Sequence, residues 1–88
     1  MTPEQKNLAR HALGLPNKNK CTFRNRFYSS KDNPEWSGMV EAGEAKVAPV
    51  KSDMIADYAV FWLTRIGAVR ALEPGERLDR EDFPTEAA

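Results

Sequence analysis

The residues able to do acid, base or nucleophilic chemistry are few and poorly placed for it. The chain holds a single histidine, His11, and a single cysteine, Cys21. Structural zinc takes about four Cys or His ligands, and catalytic zinc about three plus water. His11 reads as a cation near a helix C-terminus, where positive charge is favoured. Cys21 follows Lys20 in a polar loop, a setting in which a thiol can react, but the plainer reading is a small half-buried residue. There is no Gly-x-Ser-x-Gly elbow for a serine nucleophile. The glycines Gly14, Gly38, Gly43, Gly67 and Gly75 are scattered, so no loop cradles a phosphate. The carboxylate pairs Glu41/Glu44, Asp79/Asp82 and Glu81/Asp82 read as solvated faces. The expectation is a protein that is not an enzyme and takes no metal or cofactor.

Charge carries more information. Acidic and basic residues balance at 13 each, yet they are not mixed. Residues 1–31 hold seven basic residues against Glu4 alone, a net of +6, and residues 32–88 hold six against twelve, a net of −6. Within the basic half, Lys18, Lys20, Arg24 and Arg26 interleave with Phe23, Phe27 and Tyr28. Such a surface contacts phosphates and stacks on bases. The competing reading pairs Arg24 and Arg26 with acids of the C-terminal half inside the fold. A third reading gives the cations an acidic protein partner. The position of residues 22–28 separates these readings. Solvent-facing arginines beside Lys18 and Lys20 favour nucleic acid, and salt-bridged ones with an exposed aromatic patch favour a protein.

The elements that must position these residues follow from caps and periodicity. Thr2 as N-cap, Pro3 at N1 and Gln5 at N3 open a helix over Pro3–Leu13. Gly14 supplies a left-handed cap, Leu15 folds back over the last turn, and Pro16 blocks continuation. Residues 16–21 are a polar loop. Residues 22–28 read as a strand, with Phe23, Asn25 and Phe27 on one face and Thr22, Arg24, Arg26 and Tyr28 on the other. As one helical turn, they make Phe23 and Phe27 neighbours. Both readings bury the two phenylalanines and expose the two arginines, and the lack of a capping signal favours extended or irregular structure.

Residues 29–33 form a loop. Asn33 or Asp32 then caps a short helix, residues 34–42, with Pro34 at N1 and Trp36, Met39 and Val40 on its buried face. Gly43 ends it. Ala45, Val47 and Val50 outline a strand, and Pro49 argues for an edge position. Residues 51–57 form the tip of a hairpin-like connection. Residues 58–63 are the strongest strand, apolar on both faces. A small chain offers one core, so either Tyr58 and Trp62 or Phe61 and Leu63 lie at a surface. An exposed pair would mark a protein contact, most simply a homodimer. Thr64 caps a last helix with Ile66, Ala68, Val69 and Leu72 on its apolar side. Residues 73–76 make a turn with Pro74 and Gly75 at its centre. The domain spans residues 1–76, and residues 77–88 are a charged, partly disordered tail pinned by Leu78 and Phe83, its last four residues frayed.

With 88 residues there is one domain, which buries about 60–70% of its unfolded surface. No window approaches 18 apolar residues and no apolar run follows Met1, so the expectation is a cytosolic protein with no membrane contact. The lone cysteine excludes an internal disulfide. The fold class is α+β, with about three helices and a two- or three-stranded antiparallel ribbon.

The second half resembles a winged-helix domain. The resemblance rests on Met39-Val40-Glu41-Ala42-Gly43, Ala45-Lys46-Val47, Phe61-Trp62-Leu63-Thr64 and Gly67. It implies a helix ended by glycine, a β-ribbon, and a threonine-capped helix beneath the ribbon. The chain is also similar to small prophage proteins of no assigned activity over roughly residues 8–72. That similarity rests on Arg10-His11-Ala12-Leu13-Gly14-Leu15, Arg24-Asn25-Arg26-Phe27, residues 39–43 and residues 61–67. Many members carry Glu-Ala-Gly where this chain has Arg65-Ile66-Gly67. The resemblance implies phage origin and no catalytic residue. The expected function is binding: a nucleic-acid-contacting accessory protein or adaptor, or else a protein–protein module in phage assembly or host interaction.

Overall fold

Helix α1, Pro3–Leu13, forms where Thr2 and Gln5 cap each other reciprocally, side chain to backbone, at 2.9 and 3.1 Å. In the computed structural model, which describes residues 1–50 and 57–84, strand β1 follows at Phe27–Ser30 and helix α2 at Pro34–Glu41. Strands β2, Ala45–Pro49, and β3, Tyr58–Leu63, lead into helix α3, Arg65–Ala71. The protein is thus a small α+β domain. Its three strands form one antiparallel sheet in the order β1-β3-β2. The strongest strand is central, and the proline-containing strand lies at an edge, where its missing N–H removes no ladder bond.

Alternation along β3 divides the sheet into two faces. Ala59, Phe61 and Leu63 are buried, whereas Tyr58 is exposed and Val60 and Trp62 are half-buried. The inner set joins Leu13, Trp36, Met39 and the alanines of α1 and α3 in one core. An aromatic chain runs through it. His11 meets Phe27 edge-on, Phe27 packs on Trp36, and Trp36 stacks on Phe61 at 5.2 Å between ring centres. The Trp36 Nε1 is buried with no acceptor among the described residues.

Asn33 caps α2, its Oδ1 accepting from the Glu35 and Trp36 amides. Gly43 ends it in the left-handed region (φ 76°), with the Gly43 and Glu44 amides donating to Val40 and Met39. The start of α3 is clamped to that end. The Thr64 hydroxyl accepts from the Gly67 amide and donates to the Gly43 carbonyl at 2.7 Å. A Cβ on Gly67 would overlap the Glu44 carbonyl, so this close approach requires glycine.

The structure departs from the sequence reading at several places. Residues 27–30 are a strand where residues 29–33 read as loop, because β3 supplies them with ladder partners. Phe23 is 61% exposed and Thr22 is buried, the reverse of the expected faces. Thr22 turns inward because its hydroxyl accepts from the Asp79 amide at 2.8 Å. On α3 the buried residues are Gly67, Ala68 and Ala71, and Ile66 and Val69 are about half exposed. The close clamp to α2 leaves room only for small side chains there. Glu44 is not on a solvated face. It is buried and paired with Arg70 at 2.9 Å, and the Met1 amine lies 3.6 Å away.

One helix, α2, stands between β1 and β2, so the helix-turn-helix of a winged helix has no counterpart among the described residues. Residues 77–84 lie against the body. Cys21 and Arg77 form a parallel bridge, Phe83 is in the core, and the Arg65 Nη2 donates to the Phe83 and Pro84 carbonyls. Residues 51–56 of the tip expected at 51–57, and the last four residues, lie outside the described residues.

Candidate nucleic-acid interface

A helix ends with four carbonyls that lack an intrahelical donor. In α1 all four are satisfied, and doing so docks the cationic segment. Leu15 donates its amide to Arg10, and Gly14 to His11. The Phe23 and Arg26 amides donate to Leu13 and Ala12. The Arg24 Nε and Nη2 donate to the His11 carbonyl at 3.2 and 2.7 Å. A guanidinium is also favoured there by the helix dipole. Asn25 turns the other way. Its side chain accepts from the Leu63 amide and donates to the Leu63 carbonyl, which ties the segment to the end of β3.

Arg24, Arg26 and Tyr28 therefore point out together. With His11 and Phe27 they line a concavity of about 420 Å³. The Arg24 guanidinium also lies 5.3 Å from the centre of the Phe23 ring, which itself covers Gly14. Phe23 borders a second concavity of about 600 Å³, whose wall includes Lys18, Cys21, Arg77 and Asp79. Lys18 thus neighbours the arginine cluster without joining it. Lys20 is directed elsewhere, its side chain leaning on the turn at Gly75.

Four acids of the C-terminal half pair with other cations among the described residues. Glu76 takes Arg10, Glu73 takes Lys6, Glu44 takes Arg70 and Asp57 takes Lys31. Among the described residues, Lys18, Lys20, Arg24 and Arg26 form no ion pair, and all four are exposed. The Arg10–Glu76 pair is two-pronged, with Nη2 to Oε2 at 2.8 Å. It holds the Glu76 carboxyl down at about 2, chiefly through the Arg10 hydrogen bond, and raises Arg10 in turn.

Tyr58 and Trp62 occupy outward positions of β3, and Tyr28 occupies one of β1 opposite Val60. The sequence reading set Phe23 among these cations but buried its ring, and it missed Arg77 and Lys46, the latter opposite Trp62. Lys46 was legible from its place between Ala45 and Val47 in an alternating strand. The exposure of Phe23 was not, because it depends on the docking of its backbone to α1. Among the described residues no three His, Cys, Asp or Glu side chains cluster as metal ligands. No helix there is long and apolar enough to cross a membrane. No family model, curated protein or solved structure matches the chain.

Proposed function

We propose that this protein is a small, non-enzymatic, prophage-type accessory protein of the cytosol that contacts nucleic-acid phosphates through Arg24 and Arg26, with Lys18 in the neighbouring hollow and Lys20, turned towards Gly75, outside the cluster. One observation carries the reading. The two arginines line a solvent-facing concavity with Tyr28 and have no carboxylate partner among the described residues. Had they been consumed by internal salt bridges, the charge asymmetry would be only a folding device. No capped recognition helix carries these cations, so contact is electrostatic and indifferent to base sequence.

Neutralising two to four phosphates implies a log–log salt slope of roughly −2 to −4 on duplex DNA. In fluorescence anisotropy with two unrelated duplexes, both are expected to bind alike. The double change Arg24→Ala, Arg26→Ala is expected to flatten the slope by up to about two units. Absence of binding at tens of micromolar protein and about 50 mM salt would overturn the reading, since electrostatic affinity is greatest at low salt. The second reading, a protein–protein module, would then take its place. It is favoured by the apolar exposure of Ile66 and Val69 on α3.

A further inference from the structure

The helices pack on one side of the sheet, and the other side carries a distinctive set of residues. Its outward positions are Tyr28 and Ser30 on β1, Lys46 and Ala48 on β2, and Tyr58, Val60 and Trp62 on β3. No carboxylate stands among them. Tyr28 and Tyr58 are 56% and 48% exposed. Tyr58 and Trp62 are four residues apart on one strand, which places them about 13–14 Å apart. Tyr28 lies across from the intervening Val60, so it is the diagonal neighbour of both at roughly 7–8 Å. The three rings therefore form a triangle around a small apolar centre. Tyr28 also belongs to the arginine concavity, so the aromatic face is continuous with the phosphate-contacting cluster. At the Trp62 end, Lys46 and Arg65 line a further hollow of about 330 Å³, together with one carboxylate, Asp82.

We propose that this outer sheet face binds the unpaired bases of a single-stranded polynucleotide, which stack on Tyr28, Tyr58 and Trp62 while its phosphates pass Arg24, Arg26 and Lys46. The inference rests on the nucleic-acid reading above and adds to it a preference for single strands. The reason is geometric. An aromatic side chain stacks on a base only when the base has left its neighbours, which duplex bases have not. A sheet face with spaced rings accepts two or three such bases without requiring a particular sequence.

The test is anisotropy with a labelled oligothymidylate single strand and a duplex of equal length. The single strand is expected to bind more tightly. Tyr58→Ala is expected to weaken single-strand binding roughly 5- to 100-fold, the worth of one stacked base, and to leave duplex binding unchanged. Tyr28→Ala, whose ring also lines the arginine concavity, is expected to weaken the single strand by a similar factor and the duplex by less. Tyr28→Phe and Tyr58→Phe, which keep the ring, are expected to bind like the parent. Thermal melting checks that every variant is folded. If the alanine variants bind the single strand like the parent, or the duplex binds as tightly, the stacking platform is overturned and the phosphate reading stands. If neither probe binds, both fall. A concentration-dependent dimer abolished by Tyr58→Ala in sedimentation would assign the face to a second copy and overturn the proposal.

Discussion

At the scale of single residues, neighbours in sequence have opposite fates. Phe61 is 1% exposed and stacked on Trp36, whereas Trp62 lies on the outer face, half-buried. Truncating a fully buried aromatic leaves a cavity and costs about 3–5 kcal/mol. Phe61→Ala is therefore expected to lose that much in urea denaturation, and Trp62→Ala only about 1–2 kcal/mol, since part of its area is already in water. Equal losses would mean that the two faces of β3 are reversed. Composition cannot make this distinction, because residues 58–63 are apolar throughout.

At the scale of elements, the joints were the most legible part. Thr2, Gly14, Asn33, Gly43 and Thr64 end their helices as their types imply, and Pro3 and Pro34 open theirs in the first turn. A cap is a local event, a side-chain oxygen meeting an amide two or three residues on, so sequence alone can specify it. Thr64→Ala is expected to cost about 1 kcal/mol for the lost cap, and somewhat more because the Gly43 carbonyl also loses its donor. Chemical denaturation measures this directly, with Thr2→Ala expected to cost less at the chain's end. A silent Thr64→Ala would remove the clamp between α2 and α3. The faces of α3 were harder to read. Leucine-like bulk at Ile66 and Val69 pointed inward by periodicity, but the backbone of Glu44 comes too close to Gly67 for anything large to fit.

At the scale of the whole molecule, opposite charges join distant parts of the chain. Arg10 on α1 holds Glu76 in the turn after α3, with side chains only 13% and 7% exposed. Its carboxyl titrates at about 2 in the fold against an ordinary 4.5. Because the folded pKa is the lower one, the unfolded chain binds the proton more readily between these values. The pair's stabilisation is thus fully present above about pH 4.5 and is lost as pH falls towards 2. After allowance for solvent screening the loss is on the order of 1–2 kcal/mol. Urea midpoints measured across this range are expected to fall in the parent. Glu76→Gln is expected to start lower at neutral pH and to show a shallower acid decline. An unchanged acid limb would place the acid sensitivity in other carboxylates.

Element order, the edge position of the proline-containing strand, and the cation-rich segment follow from local signals: caps, alternation, a proline and charge runs. These depend on residues within a few positions of one another, so a linear reading reaches them. Tertiary structure alone decided which acids would be neutralised, which face of β3 would meet water, and which way Phe23 would point. Glu76, Glu73 and Glu44 meet their cations 66, 67 and 26 residues away along the chain, and no periodicity encodes such meetings. Among the described residues no carboxylate pairs with Arg24 or Arg26. The docking of residues 23–26 onto the open carbonyls of α1 then sets them beside Tyr28. A charge run is a property of the sequence, but a free cationic surface is what remains after the fold has made its pairs.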